Sequence, residues 1–189
     1  RPEFLEDSFG AIVAYGAHGA IVHYGATEET DVPLRRRGLL LVDSGGHYRR
    51  GTTDVTRTVA LGPVTARERR MATLVLKGHI QLAMARFPKG VSGENLDALA
   101  RMPLWREGLD FDHGTGHGVG CVLSVHESPP SFRWRIVEGI PHPALEAGMV
   151  ISDEPGYYEA EQFGIRHENL LMVQEDGDDR FLRFETLTL

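Results

Sequence analysis

Residues 111–127 read FDHGTGHGVGCVLSVHE. Three histidines, His113, His117 and His126, fall in this stretch, and glycine takes every second position from Gly114 to Gly120. The spelling G-x-G-x-G-x-G is not the G-x-G-x-x-G of a phosphate-binding turn, and no G-x-x-x-x-G-K-[ST] occurs in the chain. His113 and His117 are spaced like a helical H-x-x-x-H pair. The glutamate of H-E-x-x-H is missing, however, and the glycines disfavour helix. Such glycines let the backbone pass close to a buried cluster or to a substrate.

Working outward, the chain has 189 residues, enough for one domain with a substantial core. Apolar residues make up 41% and charged residues 25%, an ordinary globular composition. The formal net charge is −7, which argues against a nucleic-acid binder with its basic face. A single cysteine, Cys121, excludes an internal disulfide framework and suits a reducing compartment. It reads as a packed small apolar residue rather than a nucleophile, because no basic residue precedes it locally. No apolar run approaches the roughly 20 residues of a membrane span. No signal peptide is visible, so a cytoplasmic location is the expectation.

The order of elements predicts an α+β fold. Residues 11–15 and 20–24 (AIVAY, AIVHY) read as a hairpin turning at Gly16–Gly19, with His23 near the end of the second run. A polar loop with Arg35, Arg36 and Arg37 follows. Residues 38–43 and 47–60 read as strands, with Asp43 ending the first and Asp54 inside the second. Thr65 and Glu68 spell a capping box for a helix expected to run to about Phe87, where Pro88 and Gly90 stop it. Ser92 is placed to cap a second helix over 93–106. His79, on the first helix, reads as a surface or core residue rather than a ligand. Both helices are expected to cover one face of a sheet. Residues 128–148 read as a Pro-rich loop, and 149–158, 164–174 and 181–189 as strands, the first with Glu154 near its end and stopped by Pro155-Gly156, with a turn at Asp176-Gly177-Asp178.

Carboxylates inside apolar strands need partners, since burying one unpaired costs several kcal/mol. Asp43 before Gly-Gly could equally be a turn residue; Asp54 in a Thr/Val-rich run is harder to explain that way. With Glu154 and Glu168 these acids form two pairs, each on adjacent predicted strands about 5 Å apart. Four carboxylates brought together without cations would repel and raise one another's pKa. Two divalent ions would neutralise them. Four oxygen donors and one imidazole, His117, favour a hard cation such as Mn²⁺, with Zn²⁺, Co²⁺ or Fe²⁺ also suited.

The segments DSGGHYRRGTTDVTRT, HGTGHGVG, VHE, DEPGYY and GIRHEN, in this order, resemble the motifs of the Xaa-Pro aminopeptidase (aminopeptidase P) family, within the creatinase, prolidase and methionine aminopeptidase superfamily. The resemblance runs from about Phe4 to the C-terminus. It implies a pita-bread fold: a curved antiparallel sheet with helices on its outer face, and a dimetal site inside. It implies that Asp43 holds one metal, that His117 and Glu154 hold the other, and that Asp54 and Glu168 bridge. His23, His113, His126 and Arg166 match substrate-side residues of the family; Glu154, His126 and His23 are the catalytic candidates. The implied activity is removal of the N-terminal residue from peptides with proline second. Prolidase is the alternative, and a metal-free peptide- or histone-binding module of the same fold a remoter one. The chain departs from the family pattern at Asp153 (usually Asn), His167 (usually aliphatic) and Ser128 (usually Gly). Residues 1–189 are thus expected to be a catalytic-domain fragment with a partly uncovered sheet face, its parent a possible homodimer.

Overall fold

The computed structural model describes residues 3–139, 141–177 and 179–188. Asp178 of the expected turn and Leu189 of the last expected strand lie outside them. In chain order the elements are β1 (Phe4–Asp7), β2 (Ile12–Tyr15), β3 (Leu39–Ser44), β4 (Gly46–Tyr48), β5 (Gly51–Thr52), β6 (Val55–Ala60), α1 (Ala66–Ala83), β7 (Arg86–Pro88) and α2 (Gly93–Trp105). They continue with β8 (Gly116–Gly118), β9 (Glu127–Phe132), β10 (Val150–Asp153), β11 (Gly156–Glu159), β12 (Phe163–Arg166), β13 (Asn169–Glu175) and β14 (Phe181–Thr186).

Every strand pair among the described residues is antiparallel. The largest sheet has the order β7-β14-β13-β10-β8-β9; smaller ladders are β2-β3-β6, β1-β4-β5 and β11-β12. One apolar cluster joins α1 and α2 to the six-stranded sheet through Leu82, Ala100, Ile151 and Leu171. A second joins them to β3 and β12 through Val75, Leu104, Leu39 and Ile165. On β2-β3-β6 the other face carries Val13 and Val59, which are 50% and 45% exposed.

The capping box forms at the start of α1. Thr65 Oγ1 accepts from the Glu68 N–H at 3.1 Å, and Glu68 Oε2 accepts from the Thr65 N–H at 2.6 Å. The buried positions Met71, Leu74, Val75, Gly78 and Leu82 make one helical stripe. The helix stops at Ala83, short of the expected Phe87. Pro88 pushes the residue before it toward extended backbone, and Phe87 is buried in the sheet core, its ring 5.0 Å from that of Phe184. Residues 86–88 therefore join β14 as an edge strand.

Four other expectations need correction. The run 47–60 is not one strand: it is divided among β4, β5 and β6, and Asp54 lies between β5 and β6 rather than inside a strand. The hairpin over 11–24 does not form. Gly16–Ala20 is a turn of 3-10 helix, Ile21–Tyr24 is not a strand, and β2 pairs with β3 instead. Tyr24 turns inward, with its hydroxyl 3.1 Å from Thr30 Oγ1. The Pro-rich loop contains β9, which pairs with the glycine stretch at Gly116↔Phe132 and His117↔Ser131. The strands expected over 149–158 and 164–174 are each broken in the middle, at Glu154-Pro155 and His167-Glu168. The pairs Asp153↔Asn169 and Gly156↔Arg166 nonetheless share one register, so Glu154 stands opposite Glu168. Pro155 has no N–H to give to the ladder. A single 3.4 Å bond, from the His167 N–H to the Pro155 carbonyl, spans the gap.

Gly78 is where α1 meets α2: a Cβ there would lie 2.0 Å from the Ala100 carbonyl oxygen. Alanine in place of an exposed helical glycine should stabilise by about 1 kcal/mol. At Gly78 the sign is expected to reverse, since overpacking typically costs about 1–3 kcal/mol. Thermal denaturation of Gly78→Ala should show a Tm lower than the parent's; an unchanged or raised Tm would mean the helices are not in contact here.

Candidate metal centre

A cavity of about 910 Å³ opens where β2, β3, β8 and the broken hairpin converge. Asp43, Asp54, His117, Glu154 and Glu168 all line it, as do His23, His113, His126 and Arg166. Asp43 ends the apolar face of β3, and Asp54 sits just before β6, which pairs with β3. His117 is delivered by β8, threaded between β10 and β9. That passage requires glycine: a Cβ on Gly116 would lie 1.8 Å from the Ser152 carbonyl oxygen. Glu154 and Glu168 come from the two sides of the gap. With no ladder partner, the Glu154 N–H donates to the Thr115 carbonyl (2.7 Å) and the Glu168 N–H to the Thr56 carbonyl (3.1 Å).

The His117 ring places Nδ1 2.9 Å from the Gly118 carbonyl, which must be a donated bond and leaves Nε2 to take either a proton or a cation. Nε2 faces Asp54 Oδ2 at 3.4 Å and Glu154 Oε1 at 3.3 Å. Ligand atoms of Asp54, His117 and Glu168 all lie within 4.8 Å of one another. Burial alone would lower the imidazole pKa, but the contacts with Asp54 and Glu154 outweigh it and raise it to about 10. Burial and repulsion from Glu154, Asp54 and Asp43 push Glu168 well above the usual carboxylate range. Asp43 is raised as well, by burial that the Arg166 guanidinium only partly offsets.

Two buried oxygens, Asp43 Oδ1 and Glu168 Oε1, have no hydrogen-bond partner. Orphaned carboxylate oxygens beside an imidazole lone pair are the donor set that a divalent cation accepts. A cation would relieve the repulsion among the acids and displace the proton they otherwise hold on His117. The residues therefore fit a metal.

Apart from Arg166 and His113, the partners of this cluster escape a reading of the sequence. The Ser152 hydroxyl accepts from the His117 N–H (2.9 Å) and donates to Glu154 Oε1 (3.1 Å). Thr56 donates to Glu168 Oε2 at 2.7 Å. Arg166, 2% exposed, donates to Asp43 Oδ2 (2.7 Å), Thr56 Oγ1 (3.3 Å) and the Tyr158 hydroxyl (2.9 Å). Tyr158 in turn reaches His113 Nε2 at 2.8 Å, while His113 Nδ1 lies 2.7 Å from the Gly114 carbonyl. Both ring nitrogens of His113 are thus engaged by the protein. His23 and His126 are exposed toward the cavity, and the His126 ring stands at 88° to that of His117 with centroids 4.2 Å apart. Only the period-2 alternation of Asp54 and Thr56 could have pointed to Thr56 beforehand. Cys121, expected to be packed, is exposed, because β8 ends at Gly118 and the chain loops outward.

The model of metallopeptidase family M24 matches residues 1–175. The chain belongs to this family. Among relatives of the M24 chain, aminopeptidase P1 of Lotus japonicus is 48% identical over 100% of this chain and 29% of its own length. A probable Xaa-Pro aminopeptidase P of Fusarium vanettenii is 47% identical, over 100% of this chain and 31% of its own. The M24 chain thus spans about a third of the length of the curated relatives it matches. Among solved structures, an X-prolyl aminopeptidase of Caenorhabditis elegans, described as a cytosolic enzyme with a di-nuclear active site, superposes with a TM-score of 0.92 at 44% identity, covering 100% of this chain and 31% of that one. A prolidase from Pyrococcus furiosus gives 0.81 at 30% identity, covering 94% and 50%. The curved antiparallel sheet with its two helices is the pita-bread fold. No helix among the described residues is long and apolar enough to cross a membrane.

Crowded acids without a cation cost stability, so neutralising one should help the metal-free protein. Glu168→Gln, which keeps the shape, is expected to raise the Tm measured in chelator and to shrink the further rise produced by Mn²⁺. A Tm that falls in chelator, with the Mn²⁺ shift intact, would contradict this electrostatic account.

Proposed function

We propose that this chain is the catalytic domain of a metal-dependent Xaa-Pro aminopeptidase, removing the N-terminal residue from peptides with proline in second position. The observation that carries the reading is the cluster itself: Asp43, Asp54, His117, Glu154 and Glu168 line one cavity, with unpartnered carboxylate oxygens among them. Under this reading Asp43 would hold one ion and His117 and Glu154 the second, with Asp54 and Glu168 available to both. Mn²⁺ suits the oxygen-rich set best; Zn²⁺, Co²⁺ and Fe²⁺ suit it next. Bound there, two divalent ions supply Lewis acidity and lower the pKa of the attacking water.

The remaining roles belong to side chains. Glu154, held at Oε1 by Ser152, takes the proton of the attacking water. His126 faces the scissile carbonyl, where its ring can donate a hydrogen bond to the developing oxyanion; burial lowers its pKa. His23, from the wall formed after β2, contacts the substrate and the developing intermediate. Arg166, locked to Asp43 and Tyr158, holds the first ligand and the His113 wall in place. The exposed, unpaired Cys121 and the cytosolic C. elegans relative support a cytoplasmic setting.

Prolidase activity is the competing reading. The higher TM-score and identity to the X-prolyl aminopeptidase favour the longer-peptide substrate. Incubation with Mn²⁺ and an Arg-Pro-Pro peptide is expected to release arginine, with Gly-Pro dipeptide cleaved more slowly. Faster cleavage of Gly-Pro would decide for prolidase. Asp54→Ala should lower kcat/KM by more than the roughly 10–100-fold that loss of an outer partner of a metal costs. Activity that survives this substitution would sink the dimetal reading.

A further inference from the structure

The gap that presents Glu154 and Glu168 lacks ladder hydrogen bonds, yet the two acids must be held at a defined separation. Behind them lies a hydrogen-bond relay whose direction can be read from its chemistry. Arg57 can only donate. Its Nη2 lies 2.9 Å from Asn169 Oδ1, so the Asn169 amide nitrogen points the other way. That nitrogen is 3.1 Å from His79 Nε2, which must therefore accept. The ring proton then sits on Nδ1, 3.1 Å from both the backbone carbonyl and Oδ2 of Asp153. At the other end, Arg57 Nη1 donates to the Glu168 carbonyl at 2.6 Å and to the Thr56 carbonyl at 3.0 Å.

The relay thus runs from the carbonyl of Glu168 to the carbonyl of Asp153, which is the peptide bond leading into Glu154. Asp153 and Asn169 are the last registered pair before the gap. Asp153 is fully buried, and His79 is 7% exposed on α1. The buried face of this helix is otherwise Met71, Leu74, Val75, Gly78 and Leu82, so a histidine on it is there for a polar partner. We propose that His79 is a positioning residue: by tying Asp153 to Asn169 from α1, it fixes the separation of Glu154 and Glu168 and so the grip of the centre on its ions. The inference rests on the dimetal reading above, and it adds a residue that touches neither ion nor substrate.

The test compares wild type, His79→Leu, His79→Asn and Leu82→Ala, each at a temperature well below its Tm. Leu82 is buried on the same helix and faces the sheet core, so it controls for loss of stability alone. The readouts are Mn²⁺ affinity by calorimetry, and kcat and KM on an Arg-Pro-Pro peptide. His79→Leu is expected to weaken Mn²⁺ binding by about 10-fold or more, and to lower kcat with little change in KM. His79→Asn, whose amide can donate where Nδ1 does, should recover part of both losses. Leu82→Ala should lower the Tm but leave affinity within twofold. If His79→Leu binds Mn²⁺ as wild type does, or if Leu82→Ala weakens binding equally, the positioning role is overturned while the dimetal reading stands. If wild type itself binds no Mn²⁺, both fall.

Discussion

Placing four carboxylates in one cavity is the constraint on which this structure turns. Glu168 is 1% exposed, Asp54 5% and Asp43 7%, at a depth where an uncompensated charge costs several kcal/mol. Among the described residues, the permanent cation that hydrogen-bonds one of these acids is Arg166, whose guanidinium donates to Asp43. Hydroxyls of Thr56 and Ser152 satisfy one oxygen each on Glu168 and Glu154. What remains is an excess of negative charge with unfilled lone pairs, tolerable in a fold that has a cation to receive.

The architecture follows from holding those acids. Two hairpin-like pairings, β3 with β6 and the long broken hairpin from β10 to β13, each present two carboxylates to the same space. The strand bearing His117 must pass between β9 and β10 at a distance that only glycine allows. The helices lie outside and bury the apolar sides of the sheets, and α1 sends a polar group, His79, toward the back of the site. Packing and chemistry therefore share elements: the face of α1 that fills the core also carries His79, bonded to Asp153 at the edge of the gap.

Much of this was legible in the sequence, and the failures have physical causes. The acids stood out because carboxylates are costly inside Val- and Thr-rich runs, and the capping box located the start of α1. The end of α1 was misjudged because helical periodicity continues to Phe87, whereas the ring of Phe87 is recruited by a distant strand. The runs AIVAY and AIVHY look alike locally, yet only the first finds a partner, in β3; tertiary pairing decided between equal propensities. The break after Glu154 is marked in the sequence by Pro155-Gly156, whereas the break at His167 is hidden, because no turn residue separates the runs on either side of it. Ser152, Thr56 and Tyr158 gave no signal, since a hydroxyl in a strand is ordinary until its neighbours are known.

The gap in the long hairpin has a thermodynamic side. It divides two ladders, β10-β13 anchored in the six-stranded sheet and β11-β12 at the tip, spanned by one long hydrogen bond at Pro155. Such a seam lets two regions open with different free energies. Glu154 and Glu168 stand on it, so whatever grips both acids also welds the tip to the sheet. Occupancy of the site and cooperativity of the fold are in this way a single equilibrium, read out at either end.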